Sequence, residues 1–459
     1  MTENSPPAEH AGNLAEIMRV LRNPAVRRLQ IASFGSTLGD WAYATAIVVW
    51  AYQHGGAAAV GGYQAARFVA MAVAGPLGGA IADRMSRQRF MVATDTVRAV
   101  LVGLAAVAIA SDGPPSAIYA LAIVTATVGA PFRAAQAGLL PELVDSPEDL
   151  AAANAIAGNL ENITIFAGPA LAGLLLAAGN VQAVLWLNVG SFIWSNLLLL
   201  TVRTKATRSS DAGQAEGSRG YWSDVSAGFG LVRRSPDLRN VAVMAGAFGF
   251  AWGASTVFMV LLATDVLKSG PEGLGYLNAV LGIAIVVGGV LVLGRVSTSR
   301  LGQGIEIGAL GWAVPLLAVA AFPSPVTAVA AIAVIGVTEP FSDLAFETIP
   351  QRIAPPDFVS RVYAAVDCAA IAPMAAGALV APAIVDHAGL RISMGFTGAV
   401  VLAVLLTRWL ALRQLDQRLK SPEGMEVLTA PVIGLVPRHH WNGWHMRRIS
   451  ARYGKLRRY

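Results

Sequence analysis

The stretch "GPLGGAIADRMSRQRF" (residues 75–90) decides how the chain is read. A run of Gly, Ala, Leu and Ile stops abruptly at Asp83-Arg84, and Arg87 and Arg89 follow at once. Acid and base at the end of an oily segment mark a boundary between hydrocarbon and water. The rest of the chain repeats the pattern. Of 459 residues, 55% are hydrophobic and only 14% are charged. A soluble domain carries about 25% charged residues, so the chain has too little charge to coat a water-facing surface. Twelve apolar segments, each near the roughly 20 residues that span a bilayer, are expected near 29–53, 58–82, 90–110, 116–140, 151–178, 182–202, 238–264, 272–294, 303–321, 325–349, 361–384 and 391–412. Pro- and Gly-rich turns such as "SDGPPS" (111–116) and "KSGPEG" (268–273) separate them. The first segment is too long for the core of a signal peptide.

The basic charges orient these segments. If the N-terminus is cytoplasmic, 29 of the 34 Lys and Arg fall in inner loops and tails. Only Lys268 and Arg391 fall outside, and Arg67, Arg98 and Arg133 lie within segments. Basic residues gather on the cytoplasmic side of membrane proteins. Both ends are therefore expected inside, in a multi-pass protein of the cytoplasmic membrane. The same bias accounts for the isoelectric point of about 9.7 without nucleic acid. A single cysteine, Cys368, excludes an internal disulfide and a Cys-based metal site. No cofactor or metal is expected.

The organisation is six plus six. A cytoplasmic N-terminus (1–28) leads into one half (29–202), a polar linker (203–237), a second half (238–412) and a basic tail (413–459). In the linker, Trp222, Val225, Phe229 and Val232 share one helical face, which predicts a short helix along the membrane surface. The halves read as repeats. "NPAVRR" (23–28) parallels "SPDLRN" (235–240), "GGYQAA" (61–66) parallels "LGYLNA" (274–279), and "PELVDSPEDL" (141–150) parallels "PQRIAPPDFV" (350–359), all at offsets near 210. Two repeats of even span number share one orientation and enclose a central pathway.

Ionisable groups within spans are costly and are usually paired or functional. Asp40 lies in segment one, Arg67 in segment two, Arg133 and Gln136 in segment four, and Glu161 and Asn162 in segment five. Asp40 either pairs with Arg67 as a structural element or takes part in transport. Asp95 and Arg98, one turn apart and expected near the inner surface, read first as a structural pair. Glu339, Asp343 and Glu347 recur at i, i+4 and i+8 along segment ten, and Asp367 lies in segment eleven. One face of segment ten therefore carries three acids, which suits proton uptake or a cationic substrate. Glu347 alternatively reaches the cytoplasm. Trp50, Tyr52 and Trp409 read as an interfacial aromatic belt.

The opening stretch also resembles a family. Gly79-x-x-x-Asp83-Arg84-x-Ser86-Arg87-x-Arg89 is similar to the loop signature of the major facilitator superfamily, with Ser86 where most members have Gly. "TDTVRA" (95–98 within it), "LLPELV" after segment four and "GPALAG" (168–173) in segment five extend the resemblance to the drug- and siderophore-exporter branch. The resemblance implies an all-α integral membrane fold of twelve helices. It implies a transporter rather than an enzyme, commonly monomeric, acting on a small-molecule substrate. It gives the loop residues Gly79, Asp83, Arg84, Arg87 and Arg89 a gating role, with Asp83 meeting Arg361 or Arg133. It gives Gly168, Pro169 and Gly173 the role of a segment-five kink. Arg133 and Gln136 resemble the segment-four Arg signature, with Gly138 one place late. With no phosphate-binding Gly-Lys-Ser/Thr loop, drive by a proton gradient is expected: export of an amphipathic small molecule in exchange for protons. An importer, a facilitator of the same fold, or a membrane sensor is the alternative.

Overall fold

The computed structural model describes residues 19–82, 86–144, 146–178, 180–202, 229–295, 300–354 and 359–420. Those residues form α-helices joined by short turns. In order they are α1 (Pro24–Ala82), α2 (Arg87–Ala110), α3 (Pro115–Gly129), α4 (Phe132–Leu139), α5 (Pro147–Ala177), α6 (Val181–Leu200), α7 (Pro236–Leu261), α8 (Gly270–Arg295), α9 (Leu301–Ala321), α10 (Pro325–Ile353), α11 (Val359–Ala388) and α12 (Leu390–Leu419).

Twelve membrane crossings result, though the helices divide differently from the predicted segments. α1 holds two crossings. At 59 residues it would be about 90 Å long if straight, at 1.5 Å per residue, against a hydrocarbon core of about 30 Å. Gly55 and Gly56 leave helical geometry, Gly56 with φ +63°, and divide it into two arms, 24–54 and 57–82. The predicted single segment 116–140 is instead α3 and α4, because the chain breaks at Ala130-Pro131, where proline cannot continue the hydrogen-bond ladder. Ser, Asn and Pro start the helices: Ser146, Asn180, Ser235 and Ser324 each accept a backbone N–H in the first turn.

The apolar exterior faces lipid. Leu174, Val326 and Leu410 are each at least two-thirds exposed. Between helices, small residues replace bulk. Gly249 and Gly253 of α7 lie against the backbone of α11 at Ala370 and Met374, the close approach that drives helix association in lipid. Replacing Gly253 with valine should push these helices apart and cost about 1–3 kcal/mol. The check is the thermal midpoint of the detergent-purified protein, which should fall.

Among the described residues, close packing between the halves is seen at the end of the bundle far from the chain termini. Tyr52 at the end of α1's first arm meets Thr264 and Asp265, which lie in a π-helical turn (Leu262–Val266) after α7. Gly61 of α1 lies against Ala378 and Pro382 of α11. Gly173 of α5 lies against Gly275 of α8. The last two seams are counterparts under the repeat: the second helix of each half meets the fifth of the other. These seams hold the halves together at the far face, around a cleft lined by Tyr52 and Gln53 of α1 and by Val260 and Thr264.

Of the predicted linker helix, 203–228 lie outside the described residues. Residues 229–234 are helical, with Leu231 and Val232 buried in the core and Phe229 half exposed. Trp50 corrects the expected aromatic belt: it is 4% exposed and stacks on His54 with Tyr119 at its edge. Tyr52 serves the contact between halves instead.

Candidate functional site

Toward the terminus face the halves present charge to each other. On the second half, α10 starts at the far face and runs toward the terminus face. Its acids recur every four residues, about 6 Å apart along the axis. Glu339 is the deepest. It is half-buried, and its Oε2 is shielded from solvent without a hydrogen-bond partner. Asp343 and Glu347 are exposed to the gap, as is Asp367 on α11. Electrostatic contact links Glu339 to Asp343, Asp343 to Glu347, Glu347 to Asp367, and Asp367 to Arg133 of the opposite half. The sequence spacing thus produces a continuous file of acids from mid-bundle toward the terminus face. Aromatic edges flank it: Phe346, between Asp343 and Glu347 in sequence, meets Phe248 of α7 at 5.2 Å between ring centres.

On the first half, Arg133 of α4 is 76% exposed and pairs with Glu161 of α5 at 3.1 Å. They border a small cleft lined also by Gln30, Ser33, Thr37 and Gln136. The expected meeting of Arg133 and Asp83 lies outside the described residues, because 83–85 do. So does any description of the side chains of Gly79 and Arg361. Arg84 falls in the same gap. Of the remaining loop residues, Arg87 ties α2 to the end of α4 through the Gly138 carbonyl and Glu142, the latter at 3.2 Å, and Arg89 is exposed. Asn162, beside Glu161, is exposed as well.

The expected pairing of Asp40 with Arg67 is not formed. Arg98 of α2 reaches Asp40 instead, and it holds Asp95 with the same guanidinium. Arg67 faces Gln64 at 3.4 Å and lies 6.0 Å from the Phe68 ring centre. The Asp95–Arg98 pair is accordingly not a surface feature: Asp95 is 0% and Arg98 3% exposed. The rings of Phe132 and Phe192 lie 5.0 and 4.4 Å from the guanidinium carbon, a cation–π setting that sequence spacing does not reveal. Replacing Arg98 with methionine strands two carboxylates. Breaking a buried pair from one side costs about 3–5 kcal/mol, so the variant should lose its monodisperse peak on size-exclusion chromatography in detergent, whereas Arg67→Met should keep it.

The segment-five motif lies within one helix. α5 runs unbroken through Pro169. Gly168 lies against Trp41 and Leu38 of α1, within its own half, and Gly173 makes the far-face seam with α8. The motif provides two close approaches on one helix.

Comparison with known proteins accords with this architecture. Residues 29–307 match the family model described as Major Facilitator Superfamily. The chain is 26% identical to the multidrug efflux pump Tap of Mycolicibacterium fortuitum, over 75% of this chain and 85% of that protein. It is 24% identical to the MFS-type transporter YfiS of Bacillus subtilis, over 75% and 84%. It is 19% identical to macrolide efflux protein A of Enterococcus faecalis, over 49% and 69%. Among solved structures, the nucleoside transporter NupG superposes with a TM-score of 0.67 at 14% identity, covering 84% of this chain and 98% of that one. A bacterial homologue of the lysosomal transporter Spinster, captured inward-facing and unoccupied, gives 0.66 at 14%, covering 85% and 97%. With twelve crossings in two six-helix repeats and a family match over more than half its length, the chain belongs to the Major Facilitator Superfamily of membrane transporters.

Proposed function

We propose that the protein exports an amphipathic small molecule across the cytoplasmic membrane in exchange for protons. The observation that carries this reading is the file of acids from Glu339 to Glu347 and Asp367, facing the gap between the halves. A file of carboxylates can hold either a proton or a cationic group of a substrate, which makes it a route along which the two compete. Both termini and the 203–237 linker lie in the cytoplasm on the basic-residue bias, so the Glu347 end of the file lies on the cytoplasmic side. The two halves, 29–202 and 238–412, rock about the central site. The 75–90 loop, with Asp83, Arg84, Arg87 and Arg89, closes the inner side when the far face opens. The chain works as a monomer, each copy with its own cavity. Export rather than import follows the efflux relatives.

Expression in an efflux-deficient bacterium tests this. Cells carrying the protein should tolerate at least one class among lipophilic cations, macrolides and siderophores better than cells carrying Glu339→Gln at equal membrane abundance. Equal sensitivity across the whole panel would contradict the export reading.

A further inference from the structure

The Asp40–Arg98–Asp95 group plays no part in the pathway described above, and its charges do not balance. Two carboxylates face one guanidinium, leaving one negative charge in excess. The charged groups facing Asp40 are Arg98 and Asp95 of α2; α6 brings Asn188, and α1 itself brings Tyr43. Asp95 is enclosed, held by Arg98 and by the Ser36 hydroxyl, which donates to it at 3.3 Å. Asp40 has Arg98 on one oxygen and is 33% exposed. It lies one helical turn from Thr37, which lines the cleft beside Arg133. Asn188 of α6, 0% exposed, and Tyr43, 4% exposed, lie beside it. A net charge within a membrane span is costly.

We propose that Asp40 is a second proton-binding site, in the first half of the transporter and separate from the α10 acids. A proton on the carboxyl oxygen that Arg98 does not hold makes the group neutral and leaves the Arg98–Asp95 pair intact. A metal cation is the poorer occupant, because the guanidinium already fills the space between the two carboxylates. Ionised Asp40 accepts from its neighbours, and protonated Asp40 donates to them, so proton uptake re-pairs the hydrogen bonds between α1 and α6 while the fold is kept. Its role in transport rests on the proton-coupled reading given above; the binding itself is measured without substrate.

The test is infrared difference spectroscopy of the full-length protein in lipid, between acidic and alkaline buffer. Wild type should show carboxyl signals from both halves. Asp40→Asn should delete one that Glu339→Gln leaves in place, and Asp40→Glu should move that signal rather than remove it. If Asp40→Asn does not fold, Asp40→Glu in protein carrying carbon-13-labelled aspartate decides, since only a proton on residue 40 then loses its isotope shift. An Asp40→Asn spectrum identical to wild type would overturn the proposal and leave Asp40 as a permanent counter-ion of Arg98. Loss of the wild-type signal on adding sodium at fixed pH would also overturn it, in favour of a cation site. If Glu339→Gln changes nothing while Asp40→Asn deletes its signal, the α10 reading fails and this one stands.

Discussion

Glu339→Gln should uncouple the transporter. Glutamine keeps the shape and much of the polarity of the side chain but cannot take up or release a proton. Exchange of labelled for unlabelled substrate across a proteoliposome membrane, which needs no net proton movement, should survive within about threefold. Uptake driven by an imposed pH gradient should fall by about tenfold or more, the effect of losing about 1.4 kcal/mol or more of coupling free energy. Asp343→Asn should have a smaller effect. Asp343 is exposed to the gap, with Glu347 beyond it on the same face, so water and a neighbouring acid can stand in for it. Glu339 sits deepest and has no other acid beyond it on α10 toward the far face.

Locking the far face should be equally severe. A Cβ added to Gly173 would lie 2.6 Å from the Gly275 Cα, and one added to Gly275 would lie 2.9 Å from the Gly173 Cα. The backbones of α5 and α8 therefore touch, and they must part for the far face to open. With the single native cysteine replaced by serine, Gly173→Cys combined with Gly275→Cys should cross-link on oxidation or with a short thiol-specific bridge. Cross-linked protein should transport at the level of empty vesicles, and reduction should restore it. Each single cysteine must part the two backbones to fit, so the reduced double variant, which carries the same crowding without the link, is the reference for the cross-linked one. A cross-linked protein that still transports would show that this seam does not open.

Much of this was legible in the sequence because the bilayer imposes it. Twelve apolar runs, the side on which Arg and Lys gather, and the repeat near offset 210 all follow from solvation and length. The α10 file was legible too, since helical period alone puts Glu339, Asp343 and Glu347 on one face. Pairing was harder. Segment order sets Asp40 against Arg67 as opposite charges on the first two segments. Yet α1 doubles back at Gly55-Gly56 and turns Arg67 toward Gln64, while α2 brings Arg98 alongside. That choice depends on helix rotation, which no local pattern encodes. Trp50 was misplaced for a related reason. Its distance along the chain puts it near the interface, but its azimuth points it at Tyr119. Pro169 lies within an unbroken α5, and its flanking glycines serve two different neighbours.

The central claim is that protons and substrate move in opposite directions through one cavity. The most direct measurement places purified protein in vesicles containing a pH-sensitive dye, with no initial gradient, and supplies a transported substrate on one side only. On this account substrate flowing into the vesicles drives protons out, so the lumen turns alkaline in wild type and does not change with Glu339→Gln. Substrate movement with an unchanged lumenal pH in wild type would contradict exchange and make the protein a facilitator.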